Sequence, residues 1–313
     1  MNPIKHIKLN KSMKVSDLVH QMSHAGFGAR KISLANKIAK KMFAEKECKI
    51  FLGLAGAMVP AGMKQIIIDS INQKKIHVLV TTGANLTHDL IEALDEEHFH
   101  CDTWNDEEFN KKGYDRIYNV LMKNQVYEKL ENFFEKNWEE ISTPQIKNIR
   151  QLIKKIGSIL PEKNNSILRT CYENKIPIYC PAIADSGIGL MIWGRLAKGK
   201  EINIDAFDDM KEIIDTAWTA KTKGVIYIGG GTPKNFIQQS LQFSSGANYG
   251  IQITTDTPAG GGSSGAPLEE GKSWGKLKKD ADYIDVNCDA TIAMPLIFAN
   301  IITTQHSPTH PEP

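Results

Sequence analysis

Val225-Ile226-Tyr227-Ile228-Gly229-Gly230-Gly231 is the stretch whose reading settles the architecture. Its four apolar residues run without polar alternation, as a strand does when both faces are covered, and three glycines then allow a tight turn. Similar runs recur as Ile50-Phe51-Leu52-Gly53, Ile76-His77-Val78-Leu79-Val80-Thr81-Thr82-Gly83 and Ile176-Pro177-Ile178-Tyr179-Cys180, with two more over 249–255 and 283–288. Between them, apolar residues at helical spacing predict helices over 63–73, 86–94 and 207–220. Strand, small-residue turn and helix in repetition predict an α/β, Rossmann-like fold: a mostly parallel sheet with helices on both faces. A single domain covers 1–313. A helical extension occupies 1–45, with Ser16 or Asp17 as a start signal, and the lysine-rich segment 114–160 reads as helices inserted between strands. The proline-rich tail 304–313, which carries His306 and His310, is expected to be disordered.

The 313 residues can bury a substantial core, and 41% hydrophobic with 24% charged residues is the balance of a globular protein in water. A net charge of +2 argues against a general nucleic-acid binder, which needs a strongly basic face. The five cysteines contain no Cys-x-x-Cys pair and read as reduced, mostly buried thiols. The basic stretch 1–15 has no apolar core of a secretory signal. The longest apolar stretch, 51–63, is interrupted by Pro60 and falls short of the roughly 20 residues that span a bilayer. A cytoplasmic chain with no membrane partner is expected. His98-x-His100-Cys101, near Asp95 and Asp102, crowds its ligands too closely to enclose an ion without a distant fourth, so it reads as a polar loop and no metal is expected.

Chemistry concentrates near the C-terminus, where Gly260-Gly261-Gly262-Ser263-Ser264-Gly265-Ala266-Pro267 leads through Glu269 and Glu270 into Ser273-Trp274-Gly275-Lys276. A tryptophan face can hold a cation, and a lysine beside it becomes a nucleophile if its pKa falls. Taken singly, Lys276 reads as a solvated lysine and Trp274 as core. Their concentration in one loop raises the functional reading. At the strand ends, Gly229-Gly230-Gly231 permits close approach to a phosphate or ribose, or simply a tight turn. No Gly-x-Gly-x-x-Gly fingerprint with a following acid is present.

Ser273-Trp274-Gly275-Lys276, Val286-Asn287-Cys288-Asp289-Ala290-Thr291, Gly229-Gly230-Gly231 and Cys180-Pro181-Ala182-Ile183-Ala184-Asp185 together resemble the deoxyhypusine synthase family in order and spacing. The resemblance extends to Thr81-Thr82-Gly83-Ala84 and to Met22-Ser23-His24-Ala25-Gly26-Phe27, so it covers nearly the whole chain. It implies NAD as cofactor, with contacts at Gly56, Thr82, Gly83, Ala84, His88, Asp185, Gly230, Thr255, Asp256, Asp289 and Ala290. Asp185 and Asp289 suit ribose hydroxyls, and either could instead cap a helix. The family oxidises the carbon beside spermidine's secondary amine, captures the aminobutyl fragment on a lysine and passes it to a second amine. By resemblance Lys276 is that lysine, Trp274 the aromatic wall and Glu270 a carboxylate for a polyamine ammonium.

The chain also departs from the family. Gly56-Ala57 stands where eukaryotic enzymes have Ser-Asn, and His88 where they have glutamate. On the substrate side Asn235 replaces a histidine, while Leu190 and Ser263 each replace a carboxylate. A desolvated ammonium needs an anionic or strongly accepting partner, so the losses tilt the reading towards a different amine, with Glu269 and Asp256 as candidate compensating acids. The leading expectation is an NAD-dependent aminobutyl transferase with a polyamine donor and an amine acceptor, either a protein lysine or putrescine. Alternatives are a polyamine dehydrogenase that releases an aldehyde, or a non-catalytic NAD- or polyamine-binding protein. The resemblance further implies a homotetramer with sites at subunit interfaces.

Overall fold

The computed structural model describes residues 2–162, 165–299 and 301–302. Six strands form one wholly parallel sheet in the order β6-β2-β1-β7-β8-β9, where β1 is Cys48–Leu54, β2 Val78–Thr81, β6 Ile178–Tyr179, β7 Thr222–Ile228, β8 Ala247–Thr254 and β9 Leu277–Asn287. The unbroken apolar runs follow from burial on both faces. Ile50, Leu52, Leu54, Ile226 and Ile228 enter one core layer with the helix Phe27–Ala44, while Phe51, Val225 and Tyr227 enter the other with Ile213, Ile237 and Leu241. Successive side chains point to opposite faces, and here both faces are dry.

Helices follow the strands much as the spacing predicts: Lys64–Asn72, Gly83–Ala93 and Asp208–Thr219. The N-terminal extension forms the helices Val15–Met22 and Phe27–Ala44. Asp17 accepts from the Lys14 backbone N–H at 3.2 Å and so supplies the start signal.

Two expectations are corrected. Segment 114–160 is not helical throughout: β4 (Tyr114–Ile117) and β5 (Val120–Lys123) pair antiparallel through a two-residue turn, with Tyr118 at φ 55°. β3 (His98–His100) joins β5, making a separate three-stranded sheet, so His98 and His100 lie on a strand and not in a polar loop. These strands escape notice because their polar, half-exposed residues carry none of the apolar signal of the main sheet. The run over 283–288 is in fact the second half of β9, whose register with β8 breaks between Ala247 and Tyr249. The tail with His306 and His310 lies outside the described residues.

Candidate active site

The carboxyl ends of the parallel strands gather most of the residues expected to meet a nucleotide. Thr82 follows β2 and caps the helix Gly83–Ala93, accepting from Asn85 N–H at 3.3 Å. Asp185 lies exposed in the loop after β6, next to Ser186, which caps the helix Gly187–Ala197. Thr255 and Asp256 follow β8 on the surface, and Asp289 follows β9. Gly56, exposed at φ +72°, turns the chain after β1. Amide-bearing helix starts converging at one sheet end are the setting in which such folds hold phosphates and riboses.

Two of the glycines are explained by the protein's own packing. A Cβ on Gly83 would lie 2.5 Å from the Ser186 side chain, so the glycine lets two helix starts meet. A Cβ on Gly230 would lie 2.3 Å from Ser264 Cα, and Ser264 Oγ accepts from Gly231 N–H at 2.8 Å. Gly229 and Gly231 take φ +73° and +56°, so the triple glycine makes a tight turn roofed by the 263–264 loop.

The acids differ in what they have left to offer. Asp289 does cap a helix, accepting from Thr291 N–H at 2.7 Å and Thr291 Oγ at 2.6 Å, and these bonds hold its carboxyl below the usual range. Asp185 keeps both carboxylate oxygens free of partners among the described residues, as does Asp256 apart from one bond from Thr257 N–H. Free carboxylate oxygens suit the ribose hydroxyls of NAD, and the helix N-termini beside them suit its pyrophosphate. Ala84 and Ala290 occupy the first turns of their helices, and His88 stands one turn further along from Ala84.

Lys276 sits elsewhere, immediately before β9. Its Nζ lies 4.8 Å from the centre of the Trp274 ring, which is 55% exposed. Gly275 at φ +71° makes the turn between them. Burial pushes the Lys276 ammonium below the ordinary lysine range, against the pull of Glu270. Asn235, Ser263, Glu270, Trp274 and Lys276 all line a groove of about 480 Å³ beside the helix Gly231–Gln242. Ser263 Oγ donates to Gly231 C=O at 3.3 Å. Neither proposed compensating acid joins Lys276: Glu269 faces Lys272 at 3.4 Å, and Asp256 lies at the other end of β8. Leu190 lies on the surface of the helix Gly187–Ala197, outside the groove.

Sequence reasoning missed Lys234. It is 1% exposed, and its Nζ donates to Ser263 C=O at 2.7 Å and Ala266 C=O at 2.6 Å, clasping the glycine-rich loop onto the helix. Burial pushes its pKa down to about 8, with Asp285 and Glu270 pulling it up and Lys276 pushing it down. A signal was present: Lys234, Ile237 and Leu241 share the apolar stripe of their helix, where a lysine has to find partners.

Lys276 and Asp289 stand at opposite ends of β9, although Ser263 of the groove reaches back to Gly231. Leu277, next to Lys276, pairs with Ala247, and Asn287, two residues before Asp289, pairs with Thr254. Seven steps along β8 at about 3.3 Å each separate the two levels by about 23 Å. Among the described residues no group of three or more His, Cys, Asp or Glu side chains is placed to hold a metal ion, and no helix is long and apolar enough to cross a membrane.

The family model described as "Deoxyhypusine synthase" matches residues 17–301. A Methanosarcina acetivorans protein named "Probable deoxyhypusine synthase 1" is 42% identical over 303 residues, covering 96% of this chain and 95% of its own. An Archaeoglobus fulgidus protein named "Probable deoxyhypusine synthase 2" is 42% identical over 292 residues, covering 90% of this chain and 96% of its own. The crystal structure of an Entamoeba histolytica protein described as "a putative deoxyhypusine synthase" shares the fold at TM-score 0.67 and 20% identity, with 95% of this chain and 96% of that chain covered. Match length, identity and fold agree, and the chain belongs to the deoxyhypusine synthase family.

Proposed function

We propose that the protein transfers an aminobutyl group from a polyamine such as spermidine to an acceptor amine, with NAD as cofactor and Lys276 as the covalent carrier. The observation that carries this reading is the placement of Lys276 Nζ over the Trp274 face, in a groove with Glu270, where burial favours the neutral amine. When held at the carboxyl end, where Thr82, Asp185, Asp256 and Asp289 would meet it, NAD would supply a hydride acceptor for the carbon beside the donor's secondary nitrogen and a hydride donor for the product. The neutral Lys276 amine attacks the resulting imine carbon, the bond from that carbon to the departing nitrogen breaks, and 1,3-diaminopropane leaves with the proton. The acceptor amine attacks the lysine-bound imine in the same way and releases Lys276. Trp274 and Glu270 hold the cationic ends of the amine throughout. Loss of the carboxylate at Ser263, which lines the groove, supports a donor or acceptor with fewer charges, of which putrescine is the leading acceptor.

The site is shared between two copies of the chain. The 23 Å offset between the levels of Asp289 and Lys276, about that figure by strand geometry, supports this, because reacting atoms must come within about 3–3.5 Å. A surface suited to a second copy begins at the carboxyl end: Leu190, Trp193 and Leu196 share one face of their helix and are 55%, 65% and 44% exposed. The test is incubation with NAD, spermidine and putrescine, with amine products identified by mass spectrometry. Homospermidine with 1,3-diaminopropane supports transfer to a small amine. 1,3-Diaminopropane with an aminoaldehyde indicates a dehydrogenase, and no turnover with any amine contradicts the enzymatic reading.

A further inference from the structure

The open edge of the main sheet borders a cavity that the transfer chemistry above leaves unused. β6 is the edge strand, two residues long, and Pro177 before it has no N–H to carry the ladder one residue further back. Leu79 N–H donates to Pro177 C=O at 3.0 Å, and Leu79 stands in register with Ile178. Successive peptide groups of a strand face opposite sides, so Ile178 N–H and C=O turn away from β2 to the open edge, with no partner among the described residues. In place of a further strand, the helices Ile149–Ile159, Ile167–Glu173 and Asp208–Thr219 wall off a space of about 400 Å³ beside this edge. Ile153, Leu168, Ile176, Pro177 and Ile178 give it an apolar lining. That volume suits a small molecule. None of the residues assigned above to NAD or to the amine lines it.

Charge around the cavity is unbalanced. Arg150 Nη2 donates to Glu212 Oε1 at 2.7 Å and Lys211 Nζ donates to Asp215 Oδ2 at 2.6 Å, so both acids of the lining are already paired. Lys154 and Lys175 come from two different segments, are exposed where they line the cavity, and have no acidic partner among the described residues. We propose that this cavity binds a small carboxylic acid that carries an amide and an apolar body. The amide pairs with Ile178 as one more strand residue would, the apolar body lies among Ile153, Leu168 and Ile176, and the carboxylate faces Lys154 and Lys175. Ile178 singles out an amide because it offers one donor and one acceptor, and leaving both without partners beside apolar side chains is costly. The two lysines single out an anion because they are the charges of the lining left unpaired. The proposal is independent of the amine-transfer reading.

The test titrates N-acetyl-L-phenylalanine into full-length protein with methyl-labelled isoleucine, the signals of Ile153, Ile176 and Ile178 each being identified by its loss in the valine variant. The three signals should move together with a Kd of about 0.5 mM, the ordinary yield of about fifteen heavy atoms. 3-Phenylpropanoate, which lacks the amide, and N-acetyl-L-phenylalaninamide, which lacks the charge, should each bind about tenfold more weakly. 2-Phenylethylamine, of the wrong charge, should leave the signals in place. Lys154→Gln combined with Lys175→Gln should weaken the acid about tenfold and leave the neutral amide's affinity unchanged, with the melting temperature unaltered because both side chains are exposed. The inference fails if the three signals stay still up to about 10 mM probe, or if the double variant binds the acid as tightly as the parent protein. It fails equally if NAD or spermidine displaces the probe, which would place the probe in the site already described.

Discussion

At the carboxyl end of the sheet, functional residues are turn glycines, helix caps and exposed acids whose placement follows from the fold. Before β9, by contrast, three charged side chains, Lys234, Glu270 and Lys276, crowd one groove under a glycine-rich loop. The first region is general to open parallel sheets and would suit many nucleotides. The second is particular: a clasped loop, an aromatic face and a lysine that burial pushes towards neutrality. The contrast teaches that, on the proposed function, cofactor binding and covalent chemistry would be separable, so variants in one region should leave the other intact.

The largest effect should come from Lys276→Arg. A guanidinium keeps the charge and cannot supply a neutral amine, so transfer should fall at least about 10³-fold. NAD affinity by calorimetry should stay within about twofold. Comparable turnover in this variant would remove the covalent step.

Next is Lys234→Met, which keeps the bulk and removes the clasp. Ser263 and Ala266 lose their donor, and one charge-assisted bond of about 2–3 kcal/mol corresponds to about a hundredfold in turnover. NAD binding should again be preserved. A parallel loss of NAD affinity would mean that Lys234 supports the whole carboxyl end through Gly231 and Ser264, and would erase the contrast between the regions.

Trp274→Ala should weaken amine binding about thirtyfold, the value of a desolvated cation–π contact of about 2 kcal/mol, with little change for NAD. Equal loss for both ligands would make Trp274 structural. The smallest effect should be Asp289→Asn, which keeps a good helix cap and removes the charge proposed to meet a ribose hydroxyl. NAD affinity should drop about tenfold, while the rate at which Lys276 is chemically methylated, read by mass spectrometry, should not change.

Much of this division could be read from the sequence. The parallel sheet was legible because strands buried on both faces, such as 225–228, leave an apolar run that polar loops cannot imitate. Lys276, Trp274 and Glu270 were legible as a local motif, and they do share a groove. The small sheet was not, since β4 and β5 are half-exposed and carry Asp115 and Arg116 between their apolar positions. The clasp by Lys234 and the bonding of His88 to His98 depend on partners brought from distant loops, 29 and 32 residues away for the lysine and across the turn into β3 for the histidine. Spacing alone does not encode such contacts. Nor could a single motif reveal that Lys276 and Asp289 stand at opposite ends of β9, since that follows from Lys276 preceding the strand and Asp289 following it.

That separation makes one measurement decisive for the claim that each site is built by two copies. Lys276→Arg and Asp289→Ala would be co-expressed and purified together, and transfer assayed with spermidine and putrescine at an NAD concentration low enough that the Asp289→Ala protein alone is severely impaired. If Lys276 of one copy works with Asp289 of its partner, a mixed dimer carries one doubly altered site and one intact site. Statistical mixing then predicts recovery to about a quarter of wild-type activity. Recovery no greater than the sum of the two variants assayed separately would mean that each chain builds its own site, and would contradict the account.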